Sequence, residues 1–558
     1  MRGIKGVQIR TNEKAVINIL FWTIILISTF SFIIKALIVT GITMSDEAHM
    51  IATSYRFYLG DAFLVDDWSP EQLHGVVLLP LIYTYRLFSE SNDGIFIFIR
   101  ILYLLLKFVI LVYGFARLHN KNNYRMIYAG LLLWYFFTPY NIETLTYQAA
   151  PLAFLMFALI VISTEVSICE YVLLGVFYAL SILSQPFWVL SYFFILIGLI
   201  DQVYKKKING ERVVAFHIGL FVIFIMFIIL LFSRASFSDI VINLPYIFYE
   251  QDHTFIDYGL WNIINDKIWK VFISFVLDYK ITTLVNLIYL CILILFPMRR
   301  ERLRWLVLVC LGISCFSMFS FHETFLMNKM YVPFLWTGIE SLFYTKNRKY
   351  FLLLFLGFIF SLATALGTNT GDLATSASLC IYSCIVLFYF DDNFDNNWHK
   401  WVNWVLIVCI LSMVLFFRIY NTWASGVISP NDFENKILDG PLKGLYTDDN
   451  KYENYYKILI DIDELKLDKT KDILFCGTQN PIAHIYAETE YGTMGTPFSY
   501  LNYERLDEYF NLHPDKLPTA VYYTNFTEID EESAFYKSIL PDYNIIRIEN
   551  RLLAKIKK

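Results

Sequence analysis

T-M-S-D-E-A-H-M-I-A-T-S-Y-R-F-Y-L-G-D, residues 43–61, follows directly on a long apolar segment that begins near Ala15. It reads as a polar loop after a helix long enough to cross a membrane, and it carries two adjacent carboxylates, Asp46 and Glu47. Paired carboxylates at a membrane–water boundary are costly to bury. A site that takes a proton from a hydroxyl beside a lipid-borne substrate needs a carboxylate at that depth. The same pair also serves simply to end a helix in water, so position alone leaves both readings open.

Composition sets the class. The chain has 558 residues, 57% of them hydrophobic, and a mean hydropathy of +0.50. Charged residues make up 17%, against roughly 25% in an ordinary globular chain. Apolar runs recur from Ala15 to about Arg418, each long enough for a hydrocarbon core about 30 Å thick. Seven cysteines lie in or beside these runs, leaving Cys476 in a polar region. No CxxC and no Cys/His ligand spacing occurs, so neither a disulfide framework nor a zinc site is indicated. The first apolar segment, behind Arg2, Lys5, Arg10 and Lys14, lacks a small-residue cleavage site and is read as a retained helix.

Basic clusters mark the cytoplasmic side. They fall at Arg2 to Lys14, Arg117/Lys121/Arg125, Lys205–Lys207/Arg212, Arg299/Arg300/Arg302/Arg304 and Lys346/Arg348/Lys349. Hairpins are expected over Met126–Phe137 with Leu145–Ile162, and over Tyr171–Ser184 with Phe187–Ile200, turning at Gln185-Pro186. The pattern predicts a polytopic α-helical membrane protein of about 13 spans, multi-pass in the cell membrane, with its N-terminus cytoplasmic. Residues 1–418 form the transmembrane domain. Its outer loops are 41–94, 139–146, 233–280, 321–329 and 367–372, the last Gly/Thr-rich and read as a tight turn.

Residues 419–558 are charged, and helical and strand patterns alternate there. Strands are predicted at Asp472–Gly477 and Thr519–Tyr523, and helices at Pro481–Thr489, Leu501–Leu512 and Glu532–Leu540. Asn544–Ile556 alternates on both sides of Glu549-Asn550 and reads as a hairpin. This is enough chain for an independent α/β domain, placed on the extracytoplasmic side. Its acidic positions, Asp448-Asp449 and Asp461, Asp463 and Glu464, read as a solvated face. No phosphate-cradling glycine motif occurs.

A structureless loop as long as 41–94 would be unusual, so short helices lying on the membrane are expected in it. Trp68, Tyr55, Tyr58, Tyr83 and Tyr85 suit an interfacial position. In order, the loop carries D-E, A-x(2)-Y-R, L-G-D, L-P-L-I-Y, L-F and G-I-x(4)-R: Asp46, Glu47, Ala52, Arg56, Gly60, Asp61, Pro80, Leu81, Tyr83, Phe88, Gly94 and Arg100. This ordered set resembles the first extracytoplasmic loop of GT-C glycosyltransferases, in the protein mannosyltransferase and aminoarabinose transferase branches. F-S-x(8)-K-M-Y-V-P, Phe319–Pro333, is similar to a Lys-Tyr-Pro element of that family, and T-P-Y-N-I-E-T-L, 138–145, to the loop holding its second acid. The chain departs from the family where K-P-P-L reads L-L-P-L, Leu78–Leu81. The likeness is carried by about the first 130 residues and beyond them by hydropathy.

The resemblance implies a membrane enzyme that moves a sugar from a polyprenyl-phosphate donor to an extracytoplasmic surface glycan, lipid or protein, inverting at the anomeric carbon. It implies Asp46 as general base, Glu47 orienting it or sharing its proton, and Glu143 as a second acid. Cations ease departure of the phosphate, and the candidates are Arg56, Arg86, His322 and Lys329. Each of these four also suits simple snorkelling, as does Lys35 within the first span. No cofactor is required. Some lipid-linked oligosaccharide transferases use a divalent metal, for which His49, His74, Asp46, Asp66 and Asp67 are the available residues, but their spacing gives no specific support. The alternatives are a transporter or flippase of lipid-linked glycans, or a polymerase. No internal repeat is evident, and most charges sit at loops rather than at mid-membrane.

Overall fold

The computed structural model describes residues 41–42, 46–118, 131–132, 134–135, 143–163, 167–206, 208–248, 269, 273, 279–299, 303, 306–317, 331–341, 343, 355, 357, 359, 363, 421–422, 426–427, 433–477, 480–496, 503–525, 537, 542–548 and 551–557. The expected first span with Lys35, most of the span over Met126–Phe137, the loop 321–329, the turn at 367–372 and the helix at Glu532–Leu540 lie outside them, apart from single positions.

The long first loop does contain helices, α1 (Asp46–Leu59) and α2 (Gln72–Arg86). Gly60 ends α1 at φ +125°, a conformation open to glycine at little cost, and turns Asp61 back toward Arg56. The membrane part continues through α3 (Ile95–Leu118), α4 (Ala149–Ser163) and α5 (Ile168–Ser184). At Gln185 the backbone is extended, and a 3-10 turn over Pro186–Ser191 leads into α6 (Tyr192–Tyr204), which places the hairpin turn where Gln185-Pro186 predicts it. Then come α7 (Gly210–Phe232), α8 (Phe237–Phe248), α9 (Lys280–Leu295), α10 (Leu306–Ser317) and α11 (Tyr331–Ser341). Ile95–Leu118, Pro186–Tyr204 and Gly210–Phe232 are each long and apolar enough to cross a membrane.

Helices α5 and α7 meet backbone to backbone. A Cβ on Gly175 would lie 2.0 Å from the Phe216 carbonyl oxygen, and one on Gly219 would lie 1.9 Å from that of Val172. Small residues are what allow helices in lipid to gain close van der Waals contact.

Near the C-terminus, β1 (Asn421–Thr422) pairs with β2 (Gly426–Val427), and β3 (Asn435–Lys436) with β4 (Tyr446–Thr447). Next is α12 (Asp449–Glu464), capped by the Asp448 carboxylate, which accepts from the Lys451 backbone N–H at 3.0 Å. There follow β5 (Ile473–Cys476), α13 (Pro481–Ala487), β6 (Glu490–Tyr491), α14 (Tyr503–Leu512), β7 (Ala520–Tyr523), β8 (Tyr543–Ile548) and β9 (Arg551–Ile556). One sheet in the order β6-β5-β7-β9-β8 results, parallel around β5 and antiparallel from β7 to β8.

The period of two sorts its side chains. Leu474, Cys476, Ala520, Tyr522 and Leu553 face Ile458 and Ile462 of α12 and Ala483 and Ala487 of α13. Phe475, Val521, Tyr523, Leu552 and Ala554 pack with Leu506, Tyr509 and Phe510 of α14, and with Trp68 from the first loop. Asp461, expected on a solvated face, is 1% exposed and bonds the Tyr522 hydroxyl (3.0 Å) and Arg551 (2.7 Å). Burying α12 against the sheet required a partner for that charge.

This C-terminal unit does not close its core by itself. Ile51, Ala52, Tyr55, Ile95 and Ile99 share one cluster with Ile437, Leu442, Leu459, Ile482 and Ile485. A common core puts the first loop and the C-terminal unit on the same side of any membrane.

Gly175→Ala is expected to lower the thermal midpoint of the detergent-purified chain, because overpacking against backbone costs about 1–3 kcal/mol. Gly312→Ala, whose Cβ meets nothing within 4 Å, should not lower the midpoint.

Candidate active site

α3 is an apolar helix with three cations, and each is bonded to a carboxylate from another segment. Arg100 grips Glu47 with both arms, Nε to Oε1 at 2.8 Å and Nη2 to Oε2 at 2.5 Å, and also donates to the Gly41 carbonyl at 3.2 Å. Lys107 Nζ lies 3.0 Å from Glu143 Oε1, and neither side chain is exposed. Arg117 pairs with Glu170, which also accepts from the Tyr113 hydroxyl. The rings of Tyr103, Trp134 and Tyr135 surround the Lys107 ammonium at 5.2, 5.8 and 5.7 Å, a set that compensates some of the lost hydration.

Arg100 and Lys107 are seven residues apart, two helical turns, and so occupy one face of α3 about 10 Å apart along its axis. That face brings together two of the predicted acids, Glu47 and Glu143. Asp46 is the first residue of α1, next to the pinned Glu47. Sequence reasoning gave no role to Arg100 and passed over Lys107. The signal for both was available, since an ionisable residue within an apolar span demands a partner.

The four phosphate candidates separate. His322 and Lys329 lie outside the described residues. Arg56 is fully buried: its Nε pairs with Asp61, its Nη2 donates to the Asp66 carbonyl and to the Tyr509 hydroxyl (3.1 Å), and Nη1 stands 3.6 Å from Asp67. Burial would lower its pKa, but Asp61, Tyr509 and Asp67 outweigh that and hold it above its ordinary value. Asp61 is shared with Lys516 of the C-terminal unit at 2.5 Å, and Lys516 reaches Glu490 at 2.6 Å. Burial, with Asp61 nearby, pushes the Asp66 carboxyl up. Arg86 donates to Glu488 and Asn92, both at 3.4 Å, and Glu488 is further held by Lys469 (3.0 Å) and by the Asn92 backbone N–H (2.7 Å). Both arginines are thus committed to carboxylates at the seam with the C-terminal unit.

Trp68 and Tyr55, expected at the membrane interface, are each 1% exposed and belong to shared cores, whereas Tyr83 is 45% exposed. Trp68 stacks on Tyr246 of α8 at 4.3 Å, donates from Nε1 to Asn243 (2.9 Å), and its backbone N–H donates to the Met494 carbonyl (2.6 Å).

His49 stands one turn along α1 from Asp46. Its Nδ1 lies 2.5 Å from Thr496 Oγ1 and its Nε2 3.6 Å from Glu71. His74 meets Ser184 (3.1 Å) and the Leu145 carbonyl (2.8 Å), and burial brings its pKa down to about 4, keeping it neutral at physiological pH. Asp67 accepts from Ser69, and among the described residues no three His, Cys, Asp or Glu side chains converge as metal ligands.

No protein-family model matches the chain, and no curated protein matches it in sequence. Among solved structures it is similar to ArnT from Cupriavidus metallidurans bound to undecaprenyl phosphate, with a TM-score of 0.43 and 11% identity over 96% of this chain and 97% of that one. It is also similar to the archaeal oligosaccharyltransferase AglB from Archaeoglobus fulgidus in complex with an inhibitory peptide and a dolichol-phosphate, with a TM-score of 0.43 and 12% identity over 96% of this chain and 74% of that one. Overlaps this loose leave the chemistry to be read from the chain's own residues.

Removing one member of a buried ion pair costs about 3–5 kcal/mol. Lys107→Met and Glu143→Gln are therefore each expected to lower the thermal midpoint sharply, while the double variant recovers most of the loss.

Proposed function

We propose that the chain is a GT-C-type membrane glycosyltransferase that moves a sugar from a polyprenyl-phosphate donor to a hydroxyl of an extracytoplasmic acceptor, a surface glycan, lipid or protein. The observation that carries this reading is the assembly of Glu47 and Glu143 on one face of α3, with Asp46 adjoining Glu47 at the start of α1. The donor class comes from the ordered motif in residues 46–100.

In this reading Asp46 takes the proton from the acceptor hydroxyl as its oxygen bonds the anomeric carbon from the face opposite the phosphate. The bond from anomeric carbon to phosphate oxygen breaks, and the polyprenyl phosphate leaves with that electron pair. Glu47, bound through both oxygens to Arg100, anchors the start of α1 beside Asp46. With Arg56 and Arg86 committed elsewhere, Lys329 and His322 are the cations proposed for the departing phosphate. The first loop and the C-terminal unit face the outside together, and the N-terminus is cytoplasmic, in keeping with the placement of Lys and Arg.

Membranes from cells making the full chain, labelled beforehand with [14C]glucose, provide the test. Wild type should move label out of the polyprenyl-lipid fraction. Asp46→Asn should slow this at least about 100-fold, the lower end of what a positioned base contributes, with added undecaprenyl phosphate still bound and the thermal midpoint unchanged. Full transfer by Asp46→Asn would sink the mechanism. Unaided flipping of labelled lipid, with no label leaving it, would favour a flippase.

A further inference from the structure

The segment leading away from β6 ends against α1. Met494 is tied there by the backbone bond from Trp68 (2.6 Å), and two residues later Thr496 enters a buried polar cluster with His49 and Thr53. Thr496 is 4% exposed, His49 4% and Thr53 1%. The distances are 2.5 Å from His49 Nδ1 to Thr496 Oγ1, 2.9 Å between the two threonine oxygens and 3.3 Å from Thr53 Oγ1 to His49 Nδ1. With Nδ1 as acceptor, the Thr496 hydroxyl donates to it, and the Nε2–H faces Glu71 Oε2 at 3.6 Å. Positions 46, 49 and 53 follow the i, i+3, i+7 spacing of one helix face, so this cluster starts one turn from Asp46.

We propose that Thr496 is a positioning residue of the active site, by which the C-terminal unit sets the geometry of the α1 face that carries Asp46 on the side from which the hydroxyl acceptor arrives. The proposal rests on the glycosyltransferase reading. A lipid donor enters from the membrane, whereas the acceptor comes from the water side, where the C-terminal unit shares its core with α1. Buried polar groups that satisfy one another fix a single arrangement, because any other leaves one of them unpaired. Without the Thr496 hydroxyl, His49 Nδ1 keeps only the longer contact to Thr53 at 3.3 Å, and the ring is held less firmly one helical turn from the proposed base. Small misplacements near a reacting centre are expensive in rate.

The test compares Thr496→Val, which keeps the shape and removes the hydroxyl, with Thr496→Ser, which keeps the hydroxyl, in the full chain and the labelled-membrane assay. Thr496→Val is expected to slow transfer roughly 10- to 100-fold, while binding of added undecaprenyl phosphate, read by native mass spectrometry, stays at the wild-type value and the thermal midpoint falls only modestly. Thr496→Ser should restore most of the rate. Unchanged transfer in Thr496→Val would overturn the proposal, as would parallel loss of lipid binding, midpoint and rate, which marks a docking contact only. If wild type shows no Asp46-dependent transfer, the underlying reading falls first, and that outcome is distinct because it does not involve Thr496.

Discussion

A charge inside an apolar bundle has to find an opposite charge, and the arrangement of this protein around α3 follows from that requirement. Arg100 is held at its depth by Glu47, which meets it through both oxygens, and Lys107 by one oxygen of Glu143 together with the rings around it. Those two bonds draw the start of α1 and the loop before α4 onto one face of one helix. Segments far apart in sequence become neighbours because leaving either cation alone would cost several kcal/mol. Glu47 is thereby occupied in holding the start of α1.

The same logic governs the seam with the C-terminal unit. Arg56 is enclosed by Asp61, Asp67 and Tyr509, Asp61 is shared with Lys516, and Glu488 collects Arg86 and Lys469. Each set joins the first loop to the C-terminal unit, and Trp68 adds α8 to the assembly. The apolar core beneath is continuous across the seam. The C-terminal unit is therefore built into the head of the membrane domain, and its residues reach the first turns of α1.

Much of the architecture was legible in sequence because it rests on local periodicity. The alternation in 544–556 gave the β8–β9 hairpin, D-I-L-F-C-G gave β5, and Gln185-Pro186 gave the turn before α6. The D-E pair stood out by its position after the first apolar run, and Glu143 by the likeness of its loop to the family's. Long-range partners were not legible. Nothing local distinguishes an arginine that binds phosphate from one that binds Asp61, so Arg56 and Arg86 read as candidates for phosphate or for snorkelling. Trp68 and Tyr55 read as interfacial because aromatic residues beside spans usually are, and only the folded C-terminal unit covers them. Asp461 read as solvated because Arg551 lies ninety positions away. Lys107 was the avoidable omission, since a lysine within an apolar span is conspicuous from its neighbours in the chain alone.

The most direct test is the position of the donor sugar in a cryo-EM structure of the full chain bound to a polyprenyl-phosphate sugar. If Asp46 is the base, one acceptor hydroxyl must bridge it to the anomeric carbon, so their separation should be roughly 6 Å, about two hydrogen-bond lengths, with Glu47 still held by Arg100. A sugar seated at the cytoplasmic end of the bundle, or Glu47 released from Arg100 and turned onto the sugar in place of Asp46, would contradict the account.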